Sequence, residues 1–308
     1  MRAPVWRPSD LPGDLTGRRV LVTGATSGLG RTTARELAAR GAHVVLGGRS
    51  PSRLARTEAE LRGVVRGARF ERVVVDLADL ASVRRAADKI AGLGGLDTLV
   101  NNGGVMALPF TRTVDGFEIQ LGTNHFGPFL LTGLLLPLLG ASGDGRVVTV
   151  ASQASQWGRL RLDDPRDERE PGTRIQRYGD SKLANLVFGL ELDRRLRAVG
   201  LPVRSLVVHP GWANSRLLSK MSPGWRGDLL QAAVGWSGQP SLLGAMPTLV
   251  AATIDLPGGT YIGPRALAEM RGLPTVVEPA ARARDLDAAA RLWELSERAV
   301  DLSYPRRP

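Results

Sequence analysis

The chain has 308 residues, of which 43% are hydrophobic and none is cysteine, and its formal net charge at pH 7 is +11. A chain of this length and apolar content can bury one large core, so we expect a single domain over residues 1–308. The lack of cysteine excludes disulfides, thiolate metal sites and a cysteine nucleophile, and we expect no metal site.

The positive charge comes almost entirely from arginine, because the only lysines are Lys89, Lys182 and Lys220. The arginines are scattered along helical patterns beside acidic residues, which favours solvated helix faces over a nucleic-acid surface. We therefore expect no nucleic-acid partner.

The N-terminus, residues 1–14, contains three prolines and no apolar core, so we expect an extension and not a signal peptide. The longest apolar run, residues 126–139, is shorter than a membrane span and is interrupted by Pro128 and Pro137. These features predict a cytoplasmic protein with no stable membrane insertion.

The first predicted strand and helix meet in residues 20–30, Val-Leu-Val-Thr-Gly-Ala-Thr-Ser-Gly-Leu-Gly. Gly24, Gly28 and Gly30 lack a Cβ where the backbone must turn sharply and approach a ligand, and the helix points its free N–H groups at the turn. This arrangement attracts phosphate, although a glycine-rich turn by itself is as often only a turn. A second apolar run at 42–46 completes a strand-helix-strand unit, which favours a nucleotide site.

The second predicted strand ends in Leu46-Gly-Gly-Arg-Ser50, which contains no acidic residue. A site for NAD places a carboxylate here against the ribose 2′-hydroxyl, and that charge repels a 2′-phosphate. The Arg49 guanidinium can instead grip a phosphate, with Ser27 and Ser50 as further donors. We therefore predict NADP(H) as the cofactor. The alternative is that Arg49 is one more surface arginine.

Strands and helices go on alternating along the chain, and the pattern lapses in a charged stretch, residues 159–173, and a tryptophan-rich stretch, residues 212–240. The alternation predicts an α/β fold, a doubly wound Rossmann-type parallel sheet of about seven strands with helices on both faces. The elements predicted after the second strand are a helix at 51–66, a strand at 72–75, a helix at 80–93, a strand at 98–100, a helix at 115–139, a strand at 146–151, a helix at 178–196, a strand at 203–208 and a helix near 242–254.

Polar residues that follow the strands are the candidates for chemistry, because ligands bind outside the carboxyl ends of such a sheet. Ser152 follows the fifth strand, and Tyr178 and Lys182 are four residues apart on one helix, so their side chains share a face. A nearby ammonium favours the phenolate, so we expect Lys182 to lower the pKa of Tyr178 and make it a usable general acid. The alternative is an ordinary surface pair.

The stretch 212–240 lies just beyond the carboxyl end of a predicted strand, where a substrate lid is expected. Trp212, Trp225 and Trp236 would make this lid apolar, and the alternative for them is ordinary core packing. The lid predicts a preference for long or polycyclic apolar substrates. Residues 266–308 are expected to form a C-terminal extension.

Several motifs that are weak one by one occur together and in order: Thr23-Gly-Ala-Thr-Ser-Gly-Leu-Gly30, Asn101-Asn-Gly-Gly104, Asn124, Ser152, Tyr178-Gly-Asp-Ser-Lys182 and Pro210-Gly211. With them the chain resembles the short-chain dehydrogenase/reductase family over about residues 15–265. Four segments resemble its retinol-dehydrogenase-type branch, to which protochlorophyllide reductases are related: Leu15-Thr-Gly17, Thr123-Asn-His-Phe-Gly-Pro128, the Tyr-x-x-Ser-Lys-Leu-Ala-Asn run from Tyr178 to Asn185, and Leu292-Trp-Glu-Leu-Ser296.

The resemblance implies a catalytic set of four residues, Asn124, Ser152, Tyr178 and Lys182. Tyr178 would donate a proton to the substrate oxygen during hydride transfer, Lys182 would also hold the cofactor ribose, and Ser152 would hydrogen-bond the substrate oxygen. Pro128 has no N–H, so the carbonyl of Asn124 would be free to bind a water that links Lys182 to solvent. The alternative is that Pro128 is a tolerated kink.

The resemblance also implies a cofactor site built from residues that follow several strands. Asp76 and Leu77 would flank the adenine, and Asn101 would border the cofactor. Ser215 would bond the nicotinamide carboxamide, and Ser155 would be either a second polar contact or a loop residue. The implied cofactor-binding set is Gly24, Thr26, Ser27, Gly28, Leu29, Gly30, Arg49, Asp76, Leu77, Asn102, Gly103, Tyr178, Lys182, Pro210, Gly211 and Ser215.

Two features depart from the family pattern. Gly103 stands where the family usually has alanine, which we expect to loosen the turn. A separation of 26 positions between Ser152 and Tyr178 is about twice the common spacing, so the charged loop 159–173 is expected to rim the site. Family members commonly associate through the helices that carry Asn124 and Tyr178, which makes a homodimer or homotetramer a possible assembly.

The leading prediction is an NADP(H)-dependent carbonyl reductase or alcohol dehydrogenase, whose partner is a small apolar carbonyl or alcohol substrate. One alternative is reduction of a polarised C=C bond, because protochlorophyllide-type relatives use the same tyrosine and lysine, although the cysteine they also use is absent here. The other is a non-catalytic NADP(H)-binding sensor, and the intact set of Ser152, Tyr178 and Lys182 argues against it.

Overall fold

The computed structural model describes residues 3–162, 172–211 and 240–305. The predicted lid at 212–240, Ser215 and most of the charged loop therefore lie outside the described residues. The strands are β1 Arg19–Thr23, β2 His43–Gly48, β3 Arg69–Val74, β4 Thr98–Asn101, β5 Gly145–Val150, β6 Val203–Val208, β7 Tyr261–Ala266 and β8 Arg271–Val276. The main helices are α1 Gly28–Ala39, α2 Pro51–Val64, α3 Leu80–Ala91, α4 Ile119–Ala141, α5 Arg174–Val199, α6 Ser241–Thr253 and α7 Leu286–Val300.

These strands form one sheet in the order β3-β2-β1-β4-β5-β6-β7-β8. The first seven pair in parallel, and β8 returns antiparallel to β7. The predicted doubly wound α/β fold is confirmed, and the expected count of about seven strands holds for the parallel ones. The sequence pattern missed β8 because Gly272 and Pro274 weaken a strand pattern. A short turn from β7 allows only antiparallel pairing.

Helices cover both faces of the sheet, so the side chains on both sides of its strands are buried, and the strands are apolar on both sides. In β1, Val20 and Val22 belong to one core cluster, together with residues of α1, α2 and α6. Leu21 belongs to the opposite cluster, together with residues of α3, α4, α5 and α7. The order of strands reverses between β1 and β4, so a crevice opens at the carboxyl ends of these two strands.

Helix α4 begins at Ile119, four residues later than predicted, because Glu118 caps its N-terminus by accepting the N–H groups of Gln120 and Leu121. The helix widens into a π turn at Gly122–Phe126. Among the described residues, α4 alone is long and apolar enough to cross a membrane. The apolar run at 126–139 had appeared too short because it is only part of this helix. About two thirds of its apolar window is buried in this fold, and a buried core helix meets the same criterion.

The C-terminal segment is part of the core. The α7 residue Trp293 packs against Phe129 and Phe188, with ring centroids 5.0 and 5.9 Å apart. Its neighbour Ser296 is completely buried and shares a 2.8 Å hydrogen bond with His125 of α4. The prediction that 266–308 is an extension is therefore wrong as far as residue 305, because α7 has an apolar stripe that needs burial.

The N-terminal segment is also integrated into the fold. Trp6 donates its N–H to the carbonyl of Pro274 in β8 at 3.1 Å, and the side chains of Trp6 and Leu11 are buried. The described part of 1–14 thus covers the edge of the sheet instead of extending away from it. The role of this segment is visible only from its contact with β8, which is distant in the chain.

Candidate active site

The glycine turn between β1 and α1 forms the floor of a cleft at the carboxyl edge of the sheet. Gly24 and Gly28 have φ values of 67° and 51°, which favour glycine. A Cβ on Gly30 would lie 2.5 Å from the backbone carbonyl oxygen of Gly24 and 2.4 Å from the side-chain amide nitrogen of Asn102. All three glycines are therefore required by the shape of the turn, which leaves backbone N–H groups of α1 facing the cleft.

The loop after β4 is fastened to the end of β1. Thr23 Oγ1 accepts the backbone N–H groups of Asn102 and Gly103 at 3.0 and 2.9 Å, and the Asn102 amide donates to the Thr23 carbonyl at 2.8 Å. A Cβ on Gly103 would lie 2.8 Å from Leu77 Cδ1. The expected loosening of this turn is wrong, because glycine lets the loop pack closely against Leu77.

Asn101 does not border the cleft, contrary to expectation. Its amide nitrogen donates to Thr132 Oγ1 of α4 at 2.9 Å, and the side chain is buried. Asn101 is the last residue of β4, and successive side chains of a strand point to opposite faces, so Asn102 reaches the cleft and Asn101 enters the core.

One end of the cleft carries a basic surface at the start of α2. Arg49 and Arg53 are both exposed and line the cleft with Ser27 and Ser50. Sequence analysis missed Arg53, although it lies four residues after Arg49 and in the first turn of α2. Asp76 is the only acidic residue among the described residues that line this cleft, and its carboxylate accepts the N–H of Ala78 at 3.0 Å. Because Asp76 follows β3 and not β2, no described acidic residue lines the cleft at the end of β2.

The other end of the cleft contains the Tyr178–Lys182 pair of α5. The side chain of Ser152 acts on the pKa of Tyr178, which places the two hydroxyls near each other, and Ser152 Oγ accepts the N–H of Ala154 at 3.2 Å. Lys182 Nζ donates to the carbonyl of Val150, the last residue of β5, at 2.9 Å, and lies 5.9 Å from the centroid of the Tyr178 ring. The fold therefore brings Ser152, Tyr178 and Lys182 together although 26 positions separate the first two.

Burial shifts the ionisation of both members of this pair. It raises the pKa of Tyr178, and the interaction with the Ser152 side chain opposes that rise. Burial also lowers the pKa of Lys182 to about 8. The expected lowering of the Tyr178 pKa by Lys182 is not found, because desolvation disfavours both charged forms.

We predict that Lys182→Met stabilises the cofactor-free protein at pH 7 while it abolishes turnover. The unfolded chain holds its proton up to the ordinary pKa of 10.5, whereas the folded protein releases it near 8. Stability therefore rises between these values, and the penalty for burying the ammonium is fully present below pH 8. We expect a gain of about 1–3 kcal/mol, after allowing for the lost bond to Val150.

Thermal melting of wild type and variant at pH 7 and pH 9.5 tests this. The gain should shrink at the higher pH, because the wild-type lysine is then largely neutral in the folded protein. A variant less stable than the wild type at pH 7 would contradict the burial penalty.

Asn124 is completely buried and joins three segments. Its amide donates to the Val105 carbonyl and to Ser181 Oγ, each at 2.9 Å, and its side-chain oxygen accepts the N–H of Val105 at 2.7 Å. The side chain thus fastens the loop after β4 to α4 and α5. The water relay through the Asn124 carbonyl stays a prediction, and the π turn that precedes Pro128 agrees with an altered helical bonding pattern.

Most of the predicted site residues line the cleft. Asn124, Ser152 and Gly211 are not among the described residues that line it, although Gly211 follows Pro210, which does, and Ser215 lies outside the described residues. The Ser155 side chain is buried, and its backbone N–H donates to the Ser152 carbonyl at 3.0 Å, so Ser155 is a structural loop residue. The predicted residues that line the cleft are Gly24, Thr26, Ser27, Gly28, Leu29, Gly30, Arg49, Asp76, Leu77, Asn102, Gly103, Tyr178, Lys182 and Pro210.

The mouth of the cleft is apolar beside Tyr178. Val105, Leu108 and Ile119 line it, and sequence analysis missed all three. They lie in the loop after β4 and at the start of α4, where no periodic pattern marked them. The described part of the charged loop is held nearby by Asp180, whose carboxylate accepts the Arg159 N–H at 2.7 Å and pairs with Arg161 at 3.1 Å.

A nucleotide cleft that ends at a buried proton donor is the arrangement of an oxidoreductase that works with a nicotinamide dinucleotide. The chain belongs to the short-chain dehydrogenase/reductase family. A family model described as short chain dehydrogenase matches residues 18–164. Retinol dehydrogenase 14 of Mus musculus is 37% identical over 301 residues, which cover 93% of this chain and 86% of that protein.

Solved structures are similar over most of the chain. A putative uncharacterized protein from Mycobacterium Paratuberculosis is 42% identical with a TM-score of 0.82, and the match covers 98% of this chain and 100% of that one. A short chain dehydrogenase from Burkholderia cenocepacia J2315 in complex with NADP is 28% identical with a TM-score of 0.60, covering 80% and 96%. The resemblance to the retinol-dehydrogenase-type branch is thus confirmed, and the protein is an enzyme that acts on CH–OH or C=O groups.

Proposed function

We propose that the protein transfers hydride between NADP(H) and a carbonyl or alcohol of an apolar substrate, with Tyr178 as the general acid or base. One observation carries the proposal: a single cleft runs from Arg49 and Arg53 to Tyr178 and Lys182. The basic end suits a 2′-phosphate, and the tyrosine end supplies a proton donor beside an apolar mouth.

The residues present fit such a cofactor. The close contacts that a Cβ would make at Gly24 and Gly30 show a cradle shaped for backbone approach, and α1 begins at this cradle. Arg49, Arg53 and Ser50 would hold the 2′-phosphate, while Asp76 and Leu77 would border the adenine. When bound, NADP(H) supplies or accepts the hydride.

The chain's own groups handle the proton. Tyr178 keeps its proton at neutral pH, because burial raises its pKa, so it can donate that proton to a substrate oxygen. Ser152, whose side chain acts on the pKa of Tyr178, would donate a second hydrogen bond to the same oxygen and stabilise the charge that develops there. Lys182 would orient the ribose and favour the phenolate that remains.

The apolar mouth supports an apolar substrate. Val105, Leu108 and Ile119 line the same cleft as Tyr178, and the related mouse protein is named a retinol dehydrogenase. A preference for long or polycyclic substrates, and an apolar lid at 212–240 that would produce it, remain proposals. So do a cytoplasmic location and a homo-oligomer. A homo-oligomer formed through α4 and α5, the helices that the family resemblance points to, would use the parts of them that α7 leaves open.

The test is a screen of NADPH oxidation over apolar aldehydes, ketones and enones, with identification of each product. We expect alcohols from the carbonyl compounds. Saturated ketones from the enones would favour C=C reduction instead, and tight NADPH binding without any turnover would favour the sensor.

A further inference from the structure

His209 follows β6 and is completely buried. Its Nδ1 accepts the backbone N–H of Gly211 at 3.3 Å, and its Nε2 lies 3.0 Å from a carboxylate oxygen of Glu269. Because Nδ1 is an acceptor here, a neutral ring carries its proton on Nε2 and donates it to Glu269. The two partners therefore select one tautomer and one orientation of the ring.

The strand beside His209 is shaped to leave room for this ring. A Cβ on Gly263 of β7 would lie 1.9 Å from His209 Nε2, so only glycine fits at this position. Sixty positions separate His209 from Glu269 in the chain, and the space that Gly263 leaves is what lets the two meet.

Glu269 lies in an unfavourable turn between β7 and β8. The turn is closed by the N–H of Met270, which donates to the Leu267 carbonyl at 3.1 Å. Leu267, Ala268 and Glu269 have φ values of 51°, 51° and 64°, a region that favours glycine. Side chains kept in such a conformation are stabilised by their surroundings and often serve a site, and here the contact is the one with His209.

This turn touches two parts of the active site. The side-chain amide of Gln153, next to Ser152, donates to the carbonyl of Ala268. On the other side, Gly211 approaches Met270 so closely that a Cβ on it would lie 2.5 Å from the Met270 carbonyl oxygen. The turn therefore supports both the Ser152 segment and the Pro210–Gly211 edge of the cleft.

A second path joins the same parts through the ring of Tyr261. That ring lies 5.3 Å from the His209 ring, centroid to centroid, and the Ser155 side chain opposes the rise that burial causes in the pKa of the Tyr261 hydroxyl. Ser155 in turn donates its N–H to the Ser152 carbonyl at 3.0 Å.

We propose that His209 and Glu269 are positioning residues that hold Pro210–Gly211 and the Ser152 segment in register along the cleft. The inference rests on the proposed function and adds to it how the nicotinamide end of the site is kept in place. Neither residue touches the reacting atoms. Their loss should therefore disturb the tyrosine end of the cleft and leave the Arg49 end unchanged.

Glu269→Gly is the informative variant, because it removes the carboxylate and also suits the backbone conformation, so the protein should fold at least as stably. We expect about tenfold weaker NADPH binding and about tenfold lower kcat, since small misplacements of reacting groups are costly. Binding of adenosine 2′,5′-bisphosphate, which reaches only the Arg49 end, should stay unchanged, and the melting temperature should not fall.

Two further variants make the test specific. Glu269→Gln keeps an oxygen that can accept from His209 Nε2, so it should retain most of the activity. Glu278→Gln removes an exposed acid just after β8 that pairs with Arg284, and it should behave as the wild type. Gly263→Ala pushes on the imidazole while Glu269 remains, so it should reproduce the effect of Glu269→Gly.

Wild-type binding and turnover in Glu269→Gly would overturn the inference, and so would equal weakening of NADPH and the bisphosphate. If the wild type itself bound no NADPH, the proposed function would fail, and the inference with it.

Discussion

Tyr178→Phe is expected to lower kcat by about 10²–10⁴-fold while NADPH binding stays nearly unchanged. The substitution removes the hydroxyl that would donate the proton and keeps the ring that lines the cleft. Because the proton donor acts in the transition state and not in cofactor binding, kcat and kcat/KM should fall together. Steady-state kinetics and fluorescence titration with NADPH measure the two quantities.

Tyr304→Phe provides a matched control. Tyr304 is also buried, but its hydroxyl donates to the Phe129 carbonyl at 2.9 Å in the core beneath α7. This variant should lose some stability, about 1 kcal/mol, and keep its kcat at a temperature where it is folded. Comparable turnover in wild type and Tyr178→Phe would refute the proton-transfer role.

Arg49→Ala is expected to raise the Kd for NADPH by about 10–100-fold and to leave the weaker binding of NADH unchanged. A charge-assisted bond to a phosphate contributes roughly 1.5–3 kcal/mol, which corresponds to this range. Arg53 lines the same end of the cleft, so the double variant Arg49→Ala with Arg53→Ala should bind NADPH still more weakly. Titration of each variant with NADPH and with NADH gives the ratio of the two dissociation constants.

Arg56→Ala is the control, because Arg56 is an exposed arginine of α2 that pairs with Glu60 and does not line the cleft. It should discriminate between the cofactors as the wild type does. Equal kcat/KM for NADPH and NADH in the wild type would show that the role given to Arg49 is wrong.

Gly48→Asp combined with Arg49→Ala should reverse the preference, because it restores the carboxylate that an NAD site uses. A Cβ on Gly48 would lie 3.2 Å from Thr26 Cγ2 and 3.4 Å from Leu54 Cδ2, so Gly48→Ala is needed to separate crowding from charge. A double variant that still prefers NADPH, with Gly48→Ala unaffected, would contradict the charge argument.

Local patterns in the sequence determined much of this protein. The glycines of residues 20–30, the alternation of strands and helices, and the four-residue spacing of Tyr178 and Lys182 all act over a few residues, so they can be seen in the chain itself. They were enough to predict the doubly wound sheet, the cleft at the carboxyl edge of this sheet, and an end of β2 that carries Arg49 and no acid.

What only the tertiary structure decided depends on residues that are distant in the chain. The glycine at 103 makes sense beside Leu77, Lys182 acquires its lowered pKa from the protein packed around it, and Asn101 turns toward Thr132. Likewise β8 and α7 belong to the domain only because β7 and α4 offer them a partner surface. The physical reason is the same throughout: burial and close contact are properties of the assembled core, and no short-range pattern carries them.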